Sequence, residues 1–290
     1  MNIILALEQS ALFLYLSVGV LGLLVGSFLN VVAYRLPIML QKGWRLECLN
    51  FLEQEVTEED SEVFNLSHPR SRCPSCNHAI SAIENIPVIS FIFLQGRCKA
   101  CRKKISIRYP LVELTTAILS VMVAIQFGVS IQTLIALVFT WTLVSLSLID
   151  ADTQLLPDSM TLPLLWLALF ASLFTIFVDP STAIIGAIAG YLSLWSVYWL
   201  FKLLTGKEGM GYGDFKLLAA IGALLGWEML PLVIMLSALA GAVIGIILIA
   251  FNGRNKNTAL PFGPYLSVAA YIALLWGESI NQSYLQLVGI

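Results

Sequence analysis

Two aspartates at the ends of apolar runs are the residues of this chain best suited to chemistry. Asp150 lies in Leu148-Ile-Asp-Ala-Asp-Thr-Gln-Leu-Leu-Pro-Asp158, where one run ends, and Asp214 lies in Gly209-Met-Gly-Tyr-Gly-Asp214, just before another begins. Charge close to hydrocarbon is costly and usually marks function. Two carboxylates from different helices at one membrane depth point to aspartyl protease chemistry, because like charges at close range cannot both ionise easily and so share a proton. The ionised member takes a proton from a water that attacks the scissile carbonyl. The protonated member supports the developing oxyanion and then the leaving amine. No Ser/His/Asp or Cys/His set competes, since both histidines, His68 and His78, lie in a polar insert far from these motifs.

Each aspartate also has a plainer reading. Asp214 at the start of a helix would be favoured as an ordinary cap. Against that stand Gly209, Gly211 and Gly213: a cap needs no glycine series, whereas a backbone that approaches another helix or an extended peptide closely does. Gly211 and Gly213 are therefore expected to support the loop. A phosphate cradle is not expected, because neither G-x-G-x-x-G nor the Walker pattern is met. Asp158, after Pro157, reads as a helix cap, and Asp152 as a solvated loop residue. Asp150 stands nearest the apolar run, but spacing alone leaves Asp150 and Asp152 both open.

A second constellation is made of cysteines. Cys73-Pro-Ser-Cys76 and Cys98-Lys-Ala-Cys101 are separated by twenty-one residues. Two such knuckles can bring four thiolates around a tetrahedral Zn²⁺. Two disulfides are the alternative, disfavoured if this segment is cytoplasmic. A closed four-sulfur site has no open coordination position, so its zinc would be structural. Cys48 is left over as a free thiol, and neither histidine is needed as a ligand.

The elements that position these groups follow from composition. The chain has 290 residues, 58% hydrophobic and 12% charged, about half the charged share of a soluble domain. Apolar runs of about 17–25 residues, the length that crosses a bilayer, predict an all-α polytopic membrane protein of about eight transmembrane helices. They lie near Leu12–Tyr34, Pro110–Phe127, Ile131–Ile149, Pro157–Val178, Thr182–Leu203, Phe215–Leu225, Leu230–Phe251 and Phe262–Trp276. The boundary between the sixth and seventh, around Gly226, is the least distinct. The first run lacks a basic n-region and a cleavage site, so it reads as a retained helix. Gly241-x-x-x-Gly245 reads as helix packing. All sixteen Lys and Arg then fall on one side, eleven of them from Arg35 to Arg108, with Lys202, Lys207, Lys216, Arg254 and Lys256 in later loops. The opposite loops carry Glu8, Asp179, Glu228 and Glu278 but no basic residue. The bias of basic loops toward the cytoplasm predicts a periplasmic N-terminus and places the insert and both aspartates at the cytoplasmic face. The organisation expected is a first transmembrane helix over 1–35, a cytoplasmic zinc-binding insert over 36–108 and a membrane protease domain over 109–290. The acidic stretch Glu53, Glu55, Glu58, Glu59, Asp60 and Glu62 reads as a solvated segment.

At this point the residues resemble a known family, the bacterial type IV prepilin peptidases, also called leader peptidase/N-methyltransferases, which are GxGD aspartyl proteases. The resemblance covers nearly the whole chain. It rests on Gly26-Ser-Phe-Leu-Asn-Val-Val-Ala-Tyr-Arg-Leu-Pro37, Pro69-Arg-Ser-Arg-Cys-Pro-Ser-Cys76, Asn85-Ile-Pro87, Gly96-Arg-Cys98, Asp150 with its following Leu-Pro-Asp158, Gly211-Tyr-Gly-Asp214-Phe-Lys216 and Pro261-Phe-Gly-Pro264. It implies that Asp150, and not Asp152, is catalytic together with Asp214. It also implies removal of the basic leader of prepilins and type II secretion pseudopilins after a Gly, at the cytoplasmic face of the inner membrane. A second implied activity is methylation of the new N-terminal residue from S-adenosylmethionine. No glycine-rich nucleotide fingerprint marks a methyl-donor site; the insert, and the conformation around Gly96 within it, are the only candidates. Prepilin substrates and membrane lipid are the partners expected, and nucleic acid is not. The residues alone leave two other classes open: a transporter or channel, and a non-enzymatic pilus or secretion assembly factor.

Overall fold

The structure is a computed structural model that describes residues 7–55, 57, 63–252 and 260–288. Glu58, Glu59, Asp60 and Glu62 of the acidic stretch, and Arg254 and Lys256, lie outside the described residues. The described residues contain no strand, only two isolated bridges in the insert. Eight helices of fourteen residues or more carry the fold: α1 (Ala11–Phe51), α2 (Arg108–Phe127), α3 (Ile131–Thr153), α4 (Asp158–Ser172), α5 (Pro180–Thr205), α6 (Tyr212–Leu225), α7 (Leu230–Asn252) and α8 (Gly263–Val288). Five segments are long and apolar enough to cross a membrane: Ala11–Phe51, Arg108–Phe127, Ile131–Thr153, Pro180–Thr205 and Trp227–Leu248. Of the remaining three helices, α4 and α6 have only 15 and 14 residues, which reach about 21–23 Å at 1.5 Å per residue, short of the roughly 30 Å of hydrocarbon. Five of the eight expected spans are thus supported by helix length and composition.

Helix ends follow local sequence. Ser10 and Ser130 accept from the backbone N–H three residues on, capping α1 and α3, and Asp179 caps α5 with Pro180 in the first turn. Between α6 and α7, Gly226 turns the chain with φ of 86° and a single 3₁₀ turn, Trp227–Met229, leads into α7. The first helix differs from expectation. It does not end near Arg35 but continues to Phe51 through Pro37. The change of composition after Arg35 marks an exit from hydrocarbon and not from helix, since Gln41, Lys42, Arg45 and Glu47 are good helix formers.

The chain forms two compact units, Met1–Val129 and Ser130–Ile290. In the first, α1 packs along α2 through glycines that let the backbones close: a Cβ on Gly22 would sit 2.7 Å from the Ala117 Cα, and one on Gly26 would sit 2.7 Å from the Glu113 Cα. In the second, α6 is the core. Phe215, Leu217, Leu218, Ala220, Ile221 and Ala223 are fully buried, and α6 contacts α4, α5 and α8. Against α5 it lies in backbone contact, because a Cβ on either Gly186 or Gly222 would overlap the other's carbonyl group. Gly241 faces the Tyr265 ring and Gly245 faces Leu260, so the Gly-x-x-x-Gly face serves packing.

Candidate active site

Asp150 occupies the last turn of α3, and the chain leaves that helix through Gln154 in the left-handed conformation. Asp150 is 5% exposed, whereas Asp152 is exposed. Helical geometry explains the difference, since residues two apart on a helix point to different sides. Asp150 Oδ2 accepts the backbone N–H of Gly263, the first residue of α8, at 2.9 Å.

Asp214 is 6% exposed and sits at the third position of α6. It is not the cap residue. Its Oδ2 reaches back to the N–H of Gly211 at 3.3 Å, and its Oδ1 is buried with no hydrogen-bond partner among the described residues. Buried carboxylate oxygens are normally satisfied, so this one sets Asp214 apart from a carboxylate that serves only as a helix cap. The two carboxyls lie within electrostatic reach of each other.

Leu156 joins the elements that carry them. A Cβ on Gly213 would come within 2.6 Å of the Leu156 Cβ, and one on Gly263 would come 3.1 Å from the Leu156 Cδ2 and 2.8 Å from the Asp150 Oδ2. The end of α3, the turn before α4, and the first turns of α6 and α8 therefore meet at one leucine. The glycines at 213 and 263 are there because nothing larger fits. The positive ends of α6 and α8 both point at this place.

Asp158 caps nothing: Pro157 holds the N-cap position of α4, and the Asp158 carboxylate pairs with Lys216 of α6 at 2.7 Å. The pair ties the two aspartate-bearing motifs together beside the site. Behind it, Tyr198 of α5 packs against the Tyr212 and Phe215 rings, and Lys202 bonds Tyr198 and Glu208, which steadies the 206–211 loop.

The cysteine site lies in the first unit. The sulfurs of Cys73, Cys76, Cys98 and Cys101 all lie within 4.8 Å of one another, with Cys73–Cys101 at 3.8 Å and Cys76–Cys98 at 3.9 Å. Zn–S bonds of about 2.3 Å in a tetrahedron put sulfurs about 3.8 Å apart, so the cluster fits zinc and its cysteines are not disulfide-bonded. The N–H groups of Ser75 and Cys76 pull the Cys73 thiol down, while burial and the three neighbouring sulfurs push that of Cys76 up, so the crowded thiols lose their protons together only where a cation takes their place. The knuckles repeat each other at an offset of 25 residues: the Cys73 and Cys98 N–H groups donate to the His78 and Lys103 carbonyls, and Asn77 and Arg102 turn the chain with φ of 56° and 60°. His78 pairs with Glu84 at 3.3 Å and is no ligand. Gly96 has a structural reason of its own, with φ of 64° and the Phe91 ring 2.9 Å from where a Cβ would stand.

Residues 137–246 match the type IV leader peptidase family, and residues 20–127 match the bacterial peptidase A24 N-terminal domain. A prepilin leader peptidase/N-methyltransferase of Aeromonas salmonicida strain A449 is 54% identical over 290 residues, covering 99% of this chain and 100% of the relative. The chain belongs to the type IV leader peptidase family. Proteins of the same name from Pseudomonas putida (55% identical, 93% of each chain) and Pseudomonas aeruginosa PAO1 (54% identical, 93% of this chain and 92% of the relative) agree. No solved structure matches the chain at a significant level. In this leader peptidase family member, Asp150, Asp214 and Lys216 fall in the matched peptidase segment and the four cysteines in the matched N-terminal domain, whereas Gly263 lies beyond both.

Several residues escaped the reading of the leader peptidase sequence. Gly263 acts through a backbone N–H, which no side-chain pattern reports. Glu113, buried in α2, accepts the Val88 N–H at 2.7 Å; the sequence signal for it is a carboxylate inside an apolar run. Buried Arg35 donates to the carbonyls of Asn65 and Pro69 at 2.9 and 2.6 Å, and Asn30 donates to that of Tyr109 at 3.2 Å. The motif from Gly26 to Pro37 thus ties α1 to the insert and to the start of α2.

Proposed function

We propose that this chain is a bifunctional prepilin processing enzyme in which Asp150 and Asp214 are the catalytic pair. The single observation that carries the peptidase assignment is a pair of buried carboxyls, each holding one oxygen on a backbone N–H, with Asp214 Oδ1 unpartnered among the described residues. Such an arrangement fixes both side chains while leaving a reactive oxygen for water or substrate.

In the cleavage step the ionised member of the pair removes a proton from water as the water oxygen bonds to the scissile carbonyl carbon. The protonated member gives its proton to the carbonyl oxygen. Collapse of the tetrahedral intermediate breaks the C–N bond, the proton taken from water passes to the leaving amine, and no acyl-enzyme forms. The substrates are prepilins and type II secretion pseudopilins, cut after Gly on the carboxyl side of a basic leader. The reading rests on the names of the relatives for substrate class and on the loop charges for orientation: N-terminus periplasmic, insert and both aspartates at the cytoplasmic face of the inner membrane.

The second activity is N-methylation of the new terminus. When bound, S-adenosylmethionine supplies a methyl group on sulfonium sulfur, ready for transfer to that amine. Cys73, Cys76, Cys98 and Cys101 would hold a structural zinc, and the insert they organise, with Gly96, is where the donor is placed. Gly211 and Gly213 keep the loop before α6 close to its neighbours.

Purified protein in detergent, given a prepilin, is expected to release the leader. Asp150→Asn and Asp214→Asn, each still folded, should lose this by more than about a thousandfold while still transferring labelled methyl to a pre-cleaved substrate. Cleavage at the parental rate by either variant removes that residue from the mechanism.

A further inference from the structure

The insert carries an apolar face that its own fold does not cover. Ile83, Ile86, Ile89 and Ile92 recur every third residue through a 3₁₀ turn (Ile83–Asn85) and a short helix (Ile89–Phe93), and with Phe93 all are exposed, Ile83 by 77% and Phe93 by 83%. The one acid of this stretch is turned away from that face: Glu84, its side chain 10% exposed, is engaged by the Ser81 N–H, His78 and Lys99. An exposed apolar face of this extent marks an interaction site and not ordinary surface.

Its depth can be read from α1 and α2. The Glu113 Cα lies beside Gly26, and Asn30 of α1 bonds the carbonyl of Tyr109. The 20 residues of α2 make about 30 Å of helix, one hydrocarbon thickness; a span of that length sets its first turn at the membrane boundary, with Glu113 about 7.5 Å inside along the axis. The side chain leans toward the helix N-terminus, so its carboxylate, which holds the Val88 N–H, sits near the level of that first turn. The bond from Val88 thus holds the middle of residues 83–93 near the level of the first turn of α2. Following them come Arg97, Lys99, Arg102, Lys103 and Lys104, all exposed, a run that suits an anionic leaflet and would repel a basic leader.

We propose that residues 83–93 are a membrane-docking segment, which inserts Ile83, Ile86, Ile89, Ile92 and Phe93 at the boundary of headgroups and acyl chains and sets the following basic run against anionic lipid. The insert then rests on the bilayer beside its own transmembrane helices. This rests on packing within the first unit and not on the reading of Asp150 and Asp214.

The test uses the full chain in vesicles of phosphatidylethanolamine and phosphatidylglycerol with acyl chains brominated near the carbonyl. The emission added by Phe93→Trp over the parent should fall by about half, as expected for a ring 5–10 Å deep, and that added by Ser75→Trp, in the first knuckle, should be unchanged. Ile92→Trp gives the same reading should Phe93→Trp misfold. Equal quenching of Phe93→Trp in vesicles of phosphatidylcholine alone would overturn the role of the basic run. Emission from both apolar-face variants that lipid leaves untouched would overturn docking altogether, and a response of that emission to added prepilin would assign the face to substrate.

Discussion

At the scale of single residues, the backbone N–H of Gly263 is the contact with the sharpest consequence. It holds Asp150 Oδ2 at 2.9 Å, in a place where an added Cβ would stand 2.8 Å from that same oxygen. Alanine is a good residue for the first turn of a helix, so Gly263→Ala leaves α8 intact and shifts the carboxyl. The expected result is a fall in kcat for leader cleavage of at least about tenfold, or about 1.4 kcal/mol of barrier, with methyl transfer to a pre-cleaved substrate unchanged. Parental kcat would show that the position of Asp150 does not depend on α8. The aspartates themselves could be read in part from sequence. The glycine series before Asp214 singled it out, whereas spacing left Asp150 and Asp152 both open; the family motifs favoured Asp150, and its burial against the exposure of Asp152, set by the rotation of α3, separates them physically. Nor did spacing reveal that Asp158 would be drawn from capping α4 to pairing with Lys216.

At the scale of elements, the central feature is the backbone contact of α5 and α6 through Gly186 and Gly222. A side chain there meets a carbonyl and not a movable neighbour, so the helices must part. Gly222→Val is expected to cost about 3 kcal/mol, seen as a lower melting temperature in detergent and a loss of leader cleavage because α6 carries Asp214. Zinc content should hold, since the cysteines belong to the other unit. A variant that melts with the parent would mean that the contact is looser than described. The apolar runs made eight helices legible, including the shortness of α6. They did not make legible the length of α1 beyond Arg35, because hydropathy reports where a helix meets water and not where its hydrogen bonds stop.

At the scale of the whole molecule, the insert is held by a polar frame and by its cysteines. Protein purified without chelators should contain about one zinc per chain, and less than half of that would argue against the four-sulfur site. Stripping the metal, or Cys76→Ser, is expected to open the insert to protease and abolish methyl transfer while cleavage continues; protection equal to the parent after metal loss would show that the frame of Arg35, Asn30 and Glu113 is enough alone. The cysteine pairs were plain in the sequence, yet the partners of Arg35 and Glu113 were not, because both reach backbone groups far along the chain. The 25-residue repeat of the knuckles has one more effect. Joining Cys76 to Cys98 through a metal turns the residues between them into a closed ring, and in loop-closure terms a ring of this size removes about 3 kcal/mol of freedom from the open chain. The isoleucine face lies on that ring, so it is carried as a stiff tongue whose tension is set by the metal. Loss of the metal would slacken the tongue at the same moment as it unmakes the fold behind it, and the hold of the insert on lipid should fall in proportion to zinc occupancy.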